Sequence, residues 1–138
     1  MTISQHSITS PHTLPLPVYV ESLISATIHR VQEIKAACPG RPIILAGLQQ
    51  GALLAAQVAY LEPVTALICL GFPLFCVDGK RGEPDDFILD IRSPTQFIVG
   101  KSSTTCSVDG IEQLRHRMKA ESSLVVVDGA VDSLRMLK

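Results

Sequence analysis

Charge of either sign is in short supply: 12 Lys and Arg face 13 Asp and Glu, a formal net charge of −1 over 138 residues. The basic residues are scattered, which excludes the basic stripe that direct nucleic-acid binding requires. No apolar run approaches the roughly 18 residues of a membrane span, so no membrane partner is expected. Residues 1–17 lack the basic and apolar regions of a signal peptide and read as a flexible leader. The cysteines (Cys38, Cys69, Cys76 and Cys106) show neither CxxC spacing nor a disulfide framework. Cys69 inside "ALICLGF" reads as a small buried thiol, and this usage predicts a reducing compartment. Asp78, Asp85, Asp86 and Asp90 gather around a Gly/Pro loop without a histidine, which favours a solvated loop over a metal site. No metal and no cofactor are expected.

Hydrophobic residues make up 46% of the chain and charged residues 18%, the balance of one well-packed domain. From Val20, the apolar residues Leu23, Ile24, Ile28, Val31 and Ile34 recur at helical steps until "CPG" ends the pattern. "RPIILAG" reads as a buried strand and "ALLAAQVAYL" as a helix closed by Glu62-Pro63. "VTALICLGF" is a second strand, "CVDGKRGEPDD" a surface loop and "PTQFIVG" a third strand. Val108 to Lys119 forms a helix with Ile111, Leu114 and Met118 inward, and "SLVVVDG" is a fourth strand. Strands apolar on both sides, alternating with helices, predict a parallel sheet covered on both faces. His29 falls on the outer side of the first helix, and His116 follows Glu112 at the i,i+4 step of a surface pair. His6 and His12 belong to the leader.

"AGLQQGALL" joins the first strand to its helix. Gly47 and Gly51 are spaced as in the tight turn that, in hydrolases, carries a nucleophilic serine between two glycines. Small flanks relieve the crowding of such a turn, and the helix start aims N–H groups at its apex. The apex here is Gln49, whose amide cannot attack a carbonyl.

The stretches "RPIILAGLQQGALLAAQVA", "VTALICLGFPL", "DGKRGEPDDFILDIRSPTQFIVG" and "ESSLVVVDGAVDSLR" together resemble a known family. It is the Tex-thirty-like family of α/β-hydrolase-type domains, that of regulatory subunit 3 of the non-specific lethal (NSL) histone acetyltransferase complex. "LGFPL" and "VDGKRG" are its most specific parts. The resemblance implies an α/β fold, the C-terminal half of an α/β-hydrolase-type doubly wound, mostly parallel sheet. Residues 18–138 would then be a partial domain whose upstream strands are missing, leaving the "PIILAG" strand with an unpaired, aggregation-prone edge.

Carried over residue by residue, the nucleophile position falls on Gln49, the acid position on Ser103 and the histidine position on Asp132. All three roles are vacant. The implied function is a non-catalytic scaffold or regulatory subunit, nuclear, supporting histone H4 acetylation and transcription. Its partners would be other subunits of an NSL-type complex, including a MYST-family acetyltransferase. The mixed-charge loop with Asp78, Lys80, Arg81, Asp85 and Asp86 is the candidate partner contact, against the alternative of a solvated connector. The rival reading is a small serine or cysteine hydrolase with a displaced nucleophile, for which Cys76, Cys106, Ser102 and Ser103 are the available groups near strand ends.

Overall fold

The computed structural model describes residues 16–76, 79–80, 87–104, 106–131 and 134. They belong to two compact units, one ending at Arg41 and the other beginning at Pro42. The first is a helix, α1 (Leu16–Ala37). It starts four residues before the apolar repeat, and Pro17 is tolerated there because first-turn N–H groups have no helical partner. Ile24 and Val31 are buried as the spacing predicts, and Thr27 shares their stripe. The helix stops where the Cys38 N–H donates to the Ile34 carbonyl at 2.8 Å and Gly40 takes φ 77°. On its outer side Glu33 pairs with His29 at 2.9 Å and with Arg30 at 3.1 Å.

The second unit runs β1 (Ile44–Leu48), α2 (Gln50–Leu61) and β2 (Ala66–Leu70), then a short antiparallel hairpin of β3 (Phe75–Cys76) and β4 (Gly79–Lys80). A 3-10 turn at Phe87–Leu89 leads to β5 (Thr95–Gly100), α3 (Val108–Arg117) and β6 (Ser122–Val127). Four strands form one parallel sheet in the order β1-β2-β5-β6, with β1 at an edge. The segment read from sequence as a surface loop thus contains a hairpin, and the residues after it bury Ile88 and Ile91 completely. Local charge hid both features, because burial of "FILDI" is decided by the sheet it packs on.

Register assigns the faces. Leu67 pairs with Thr95 and Cys69 with Phe97, while Phe97 pairs with Leu124, so these side chains share one side of the sheet. That side carries the core, with Ala52, Ala55, Ala56 and Ala59 of α2 and Ile111, Leu114 and Met118 from the α3 region. Alanines on the buried face let α2 lie close to the strands. Phe72 meets Phe97 edge-on, ring centres 5.7 Å apart. Arg115 ties α3 to β6, donating from Nε to Ser122 Oγ at 3.0 Å and from Nη2 to the Ser122 carbonyl at 2.7 Å. Glu112 pairs with this same Arg115, not with His116 as its spacing suggested. The guanidinium fork reaches carboxylate and strand together, which an imidazole cannot do.

On the opposite side, the described residues of the second unit place no helix of their own. Its upper row is Leu48, Leu70, Ile98 and Val125, apolar across all four strands. Ile44 is 61% exposed, Leu48 47% and Val125 42%. Apolar side chains on both sides of a strand signal avoidance of water, but they do not specify what provides the cover. Here α2 and α3 both load onto the Cys69–Phe97 side. The two faces should therefore respond differently to substitution. Phe97→Ala is expected to cost about 3–5 kcal/mol in chemical denaturation, and Val125→Thr about 0.5 kcal/mol or less. Equal losses would mean that the Val125 face is covered as well.

Candidate functional site

The turn from β1 to α2 is built by backbone contact. A Cβ added to Gly47 would meet the Gly51 carbonyl oxygen at 2.1 Å and Ala52 N at 2.7 Å, so only glycine fits. Gly51 is different: a Cβ there would enter open space, so its presence is not a steric demand of its own position. Between them Gln49 takes φ 53° and ψ −115°, a left-handed conformation unusual for a side-chain-bearing residue. Its N–H still donates to the Leu70 carbonyl at 2.7 Å, extending the β1–β2 ladder, while its carbonyl accepts from Ala52 N at 2.9 Å to open α2. Its side chain makes no cap hydrogen bond. The geometry is that of a nucleophile elbow with a half-buried amide at its apex.

Two further loops meet at the same end of the sheet. A Cβ on Gly100 would collide with the carbonyls of Ala130 and Val131 at 2.4 and 2.5 Å. Ser102 N donates to the Ala130 carbonyl and Lys101 N to that of Val127, each at 3.0 Å. The loop carrying Ser103 is thereby locked against the segment that leads into Asp132, which itself lies outside the described residues. The signal for this contact was a glycine closing a buried strand, a mark of close backbone approach. Ser103 Oγ accepts from Cys106 N at 3.0 Å, and Ser107 Oγ caps α3 by accepting from Gly110 N at 3.0 Å. Ser103 thus serves the turn into α3.

Cys69 and Cys106 are both fully buried. Burial pushes the Cys69 thiol well above its ordinary value, and the neighbouring Cys106 adds to the effect. A thiol nucleophile needs the opposite, a lowered pKa and access. Asp90 pairs with Lys119 at 2.9 Å, and among the described residues no cluster of three metal-ligating side chains occurs. Of the proposed partner-contact residues, Lys80 falls in β4, while Asp78, Arg81, Asp85 and Asp86 lie outside the described residues. A shallow recess of about 380 Å³ lies at the far end of the strands, lined by Ile44, Ile68, Gln96, Glu121 and Ser123 among others. It is remote from the elbow in register.

Comparison with known proteins gives the class. The chain is similar to an α/β serine hydrolase homologue from Coxiella burnetii, with a TM-score of 0.67 and 22% identity over 94% of this chain and 58% of that one. It is similar also to dienelactone hydrolase from Anabaena variabilis, with a TM-score of 0.68 and 16% identity over 84% of this chain and 52% of that one. At these identities the likeness shows the fold alone: a partial α/β-hydrolase fold. Among curated proteins the chain is similar to Protein sumv-2 of Caenorhabditis elegans, 36% identical over 97 residues, 70% of this chain. The chain spans only 8% of sumv-2 and just over half of the two solved hydrolases. No protein-family model matches it.

Two expectations follow from the site. Gly47→Ala should cost about 3 kcal/mol or more, because the obstruction is backbone, whereas Gly51→Ala should be neutral or stabilise by up to about 1 kcal/mol. Gln49→Gly should stabilise by about 1 kcal/mol through release of strain. Denaturation midpoints with an unchanged slope check all three. The buried thiol sets a pH dependence. In the unfolded chain Cys69 ionises near 9.0, while the folded chain holds the proton to higher pH. Its contribution is therefore complete below pH 9.0 and declines above it, by up to about 1.4 kcal/mol per pH unit. The stability difference between the parent and Cys69→Val should shift in that direction through alkaline pH. A constant difference would contradict the burial.

Proposed function

We propose that the chain works without catalysis, as a scaffold or regulatory part of a nuclear histone acetyltransferase complex of NSL type, supporting histone H4 acetylation and transcription. The observation that carries the non-catalytic half is Gln49, an amide at the apex of a turn that keeps the strained elbow geometry. Ser103 supports it, being a hydroxyl where a carboxylate would be needed and already engaged with Cys106 N. Asp132 at the third position could not act as the general base that a histidine supplies. Loss of a triad's nucleophile or base costs on the order of a millionfold in turnover. The NSL half rests on the sequence resemblance centred on "LGFPL" and "VDGKRG". In this reading the acetyltransferase activity belongs to a MYST-family partner, other subunits surround the domain, and neither nucleic acid nor membrane is contacted directly. The mixed-charge segment with Asp78, Lys80, Arg81, Asp85 and Asp86 supplies the contact.

A displaced serine or cysteine nucleophile is the competing reading, and the burial of Cys69 and Cys106 works against it. The decisive pair of measurements is enzymatic and biochemical. Gln49→Ser should hydrolyse p-nitrophenyl acetate no faster than the parent, and no residue should label with a fluorophosphonate. Tagged chain in nuclear extract should recover a MYST-family acetyltransferase, and charge reversal at Lys80, Arg81, Asp85 and Asp86 should weaken that recovery. Esterase activity on the single substitution would overturn the non-catalytic reading. Recovery of no acetyltransferase would overturn the complex.

A further inference from the structure

Gly110 stands in the first turn of α3, where glycine weakens a helix relative to alanine. Its φ is not positive, so no backbone conformation reserves the position for it. What reserves it is space: a Cβ there would meet Leu74 Cδ1 at 2.4 Å and Ser107 Oγ at 2.7 Å. Leu74 is 2% exposed and closes the stretch "LGFPL", which leaves the sheet by buried steps. Gly71 takes φ 62° and donates to the Ile98 carbonyl at 2.8 Å, one residue past the end of β2. Phe72 is sealed edge-on against Phe97, and Pro73 is buried. β3 begins at Phe75, directly after Leu74, and pairs that residue with Lys80 of β4.

We propose that the notch at Gly110 is a positioning site: it holds Leu74 and thereby fixes the course on which the β3–β4 hairpin, with Lys80, leaves the second unit. This rests on the reading that the mixed-charge segment containing Lys80 contacts an acetyltransferase complex. Antiparallel pairing over two residues in each strand is too short to hold a direction by itself. Such a hairpin takes its orientation from its root, and Leu74 is the buried residue at that root. The Ser107 hydroxyl bounds the same notch and accepts from Gly110 N at 3.0 Å, so the cap of α3 and the seat of Leu74 are one structure. The stretch "LGFPL" therefore has a mechanical task, to present the charges that follow it in sequence.

A volume-conserving exchange tests the seat. Gly110→Ala adds one carbon where Leu74 Cδ1 lies, and Leu74→Val shortens that side chain by one carbon. Each single variant should speed amide exchange at Phe75, Cys76, Gly79 and Lys80 several-fold, while the amides of β5 and β6 exchange as in the parent. Each should also lower recovery of the acetyltransferase from nuclear extract several-fold. The double variant should regain most of both, a reversal that general destabilisation cannot give, because two independent losses add. Hairpin exchange unchanged in Gly110→Ala would overturn the proposal, as would a double variant no better than the worse single one. Faster hairpin exchange with full recovery of the acetyltransferase would overturn the positioning role. A parent that recovers no acetyltransferase fails the complex instead, and the exchange measurements then still decide whether the notch holds the hairpin.

Discussion

The second unit hangs on a contact between two backbones, the passage of Gly47 beside the Gly51 carbonyl. Because nothing but hydrogen stands between them, α2 begins two residues after β1 ends and runs back along the strands it must cover. Gln49 absorbs the reversal in its left-handed backbone while keeping both its ladder bond to Leu70 and its helical bond to Ala52. The helix then lays Ala52, Ala55, Ala56 and Ala59 against Leu67, Cys69 and Phe97. Every step is fixed by main-chain geometry. The side chain at the apex contributes nothing to the turn, which is why an amide can occupy it without disturbing the fold.

The other strand ends are closed by the same means. Gly100 admits the Ala130–Val131 backbone, and two further main-chain bonds hold the loops together. Where a hydrolase would have freed side chains at this end for proton transfer, Ser103 is spent on a turn. Cys106 is sealed in the core beside Cys69. Burial holds the proton on the Cys69 thiol, since a charge there would lose its hydration.

The sequence made the regular part of this arrangement readable and left the rest obscure for identifiable reasons. Four apolar runs bounded by proline and glycine marked β1, β2, β5 and β6, and the periodicity of Ile111, Leu114 and Met118 marked α3's buried side. The elbow was legible because two glycines four apart follow a strand. Which glycine is sterically required was not, since that depends on where each absent Cβ would point. The β3–β4 hairpin is too short to show a pattern, and Ile88 and Ile91 lie beside charges that mask them. Thr27 sits in a helical stripe that hydrophobicity alone would leave incomplete. Pairing of Glu112 was misread because spacing names candidates, and the partner with a second anchor at Ser122 prevails.

The side of the sheet away from α2 and α3 shows a division that the strands' composition alone conceals. At the strand starts the row Ala46, Ile68, Gln96 and Ser123 turns polar toward β6, and Ile68, Gln96 and Ser123 help frame the recess at that end. One row further on, Leu48, Leu70, Ile98 and Val125 offer no hydrogen-bonding side chain at all. Water can be accommodated by the first row; against the second it can only be ordered at a cost that grows with exposed apolar area. Residues of this kind are those of a strand shielded on both sides. The row also ends at Leu48, the residue before Gln49, so the apolar face runs directly up to the elbow.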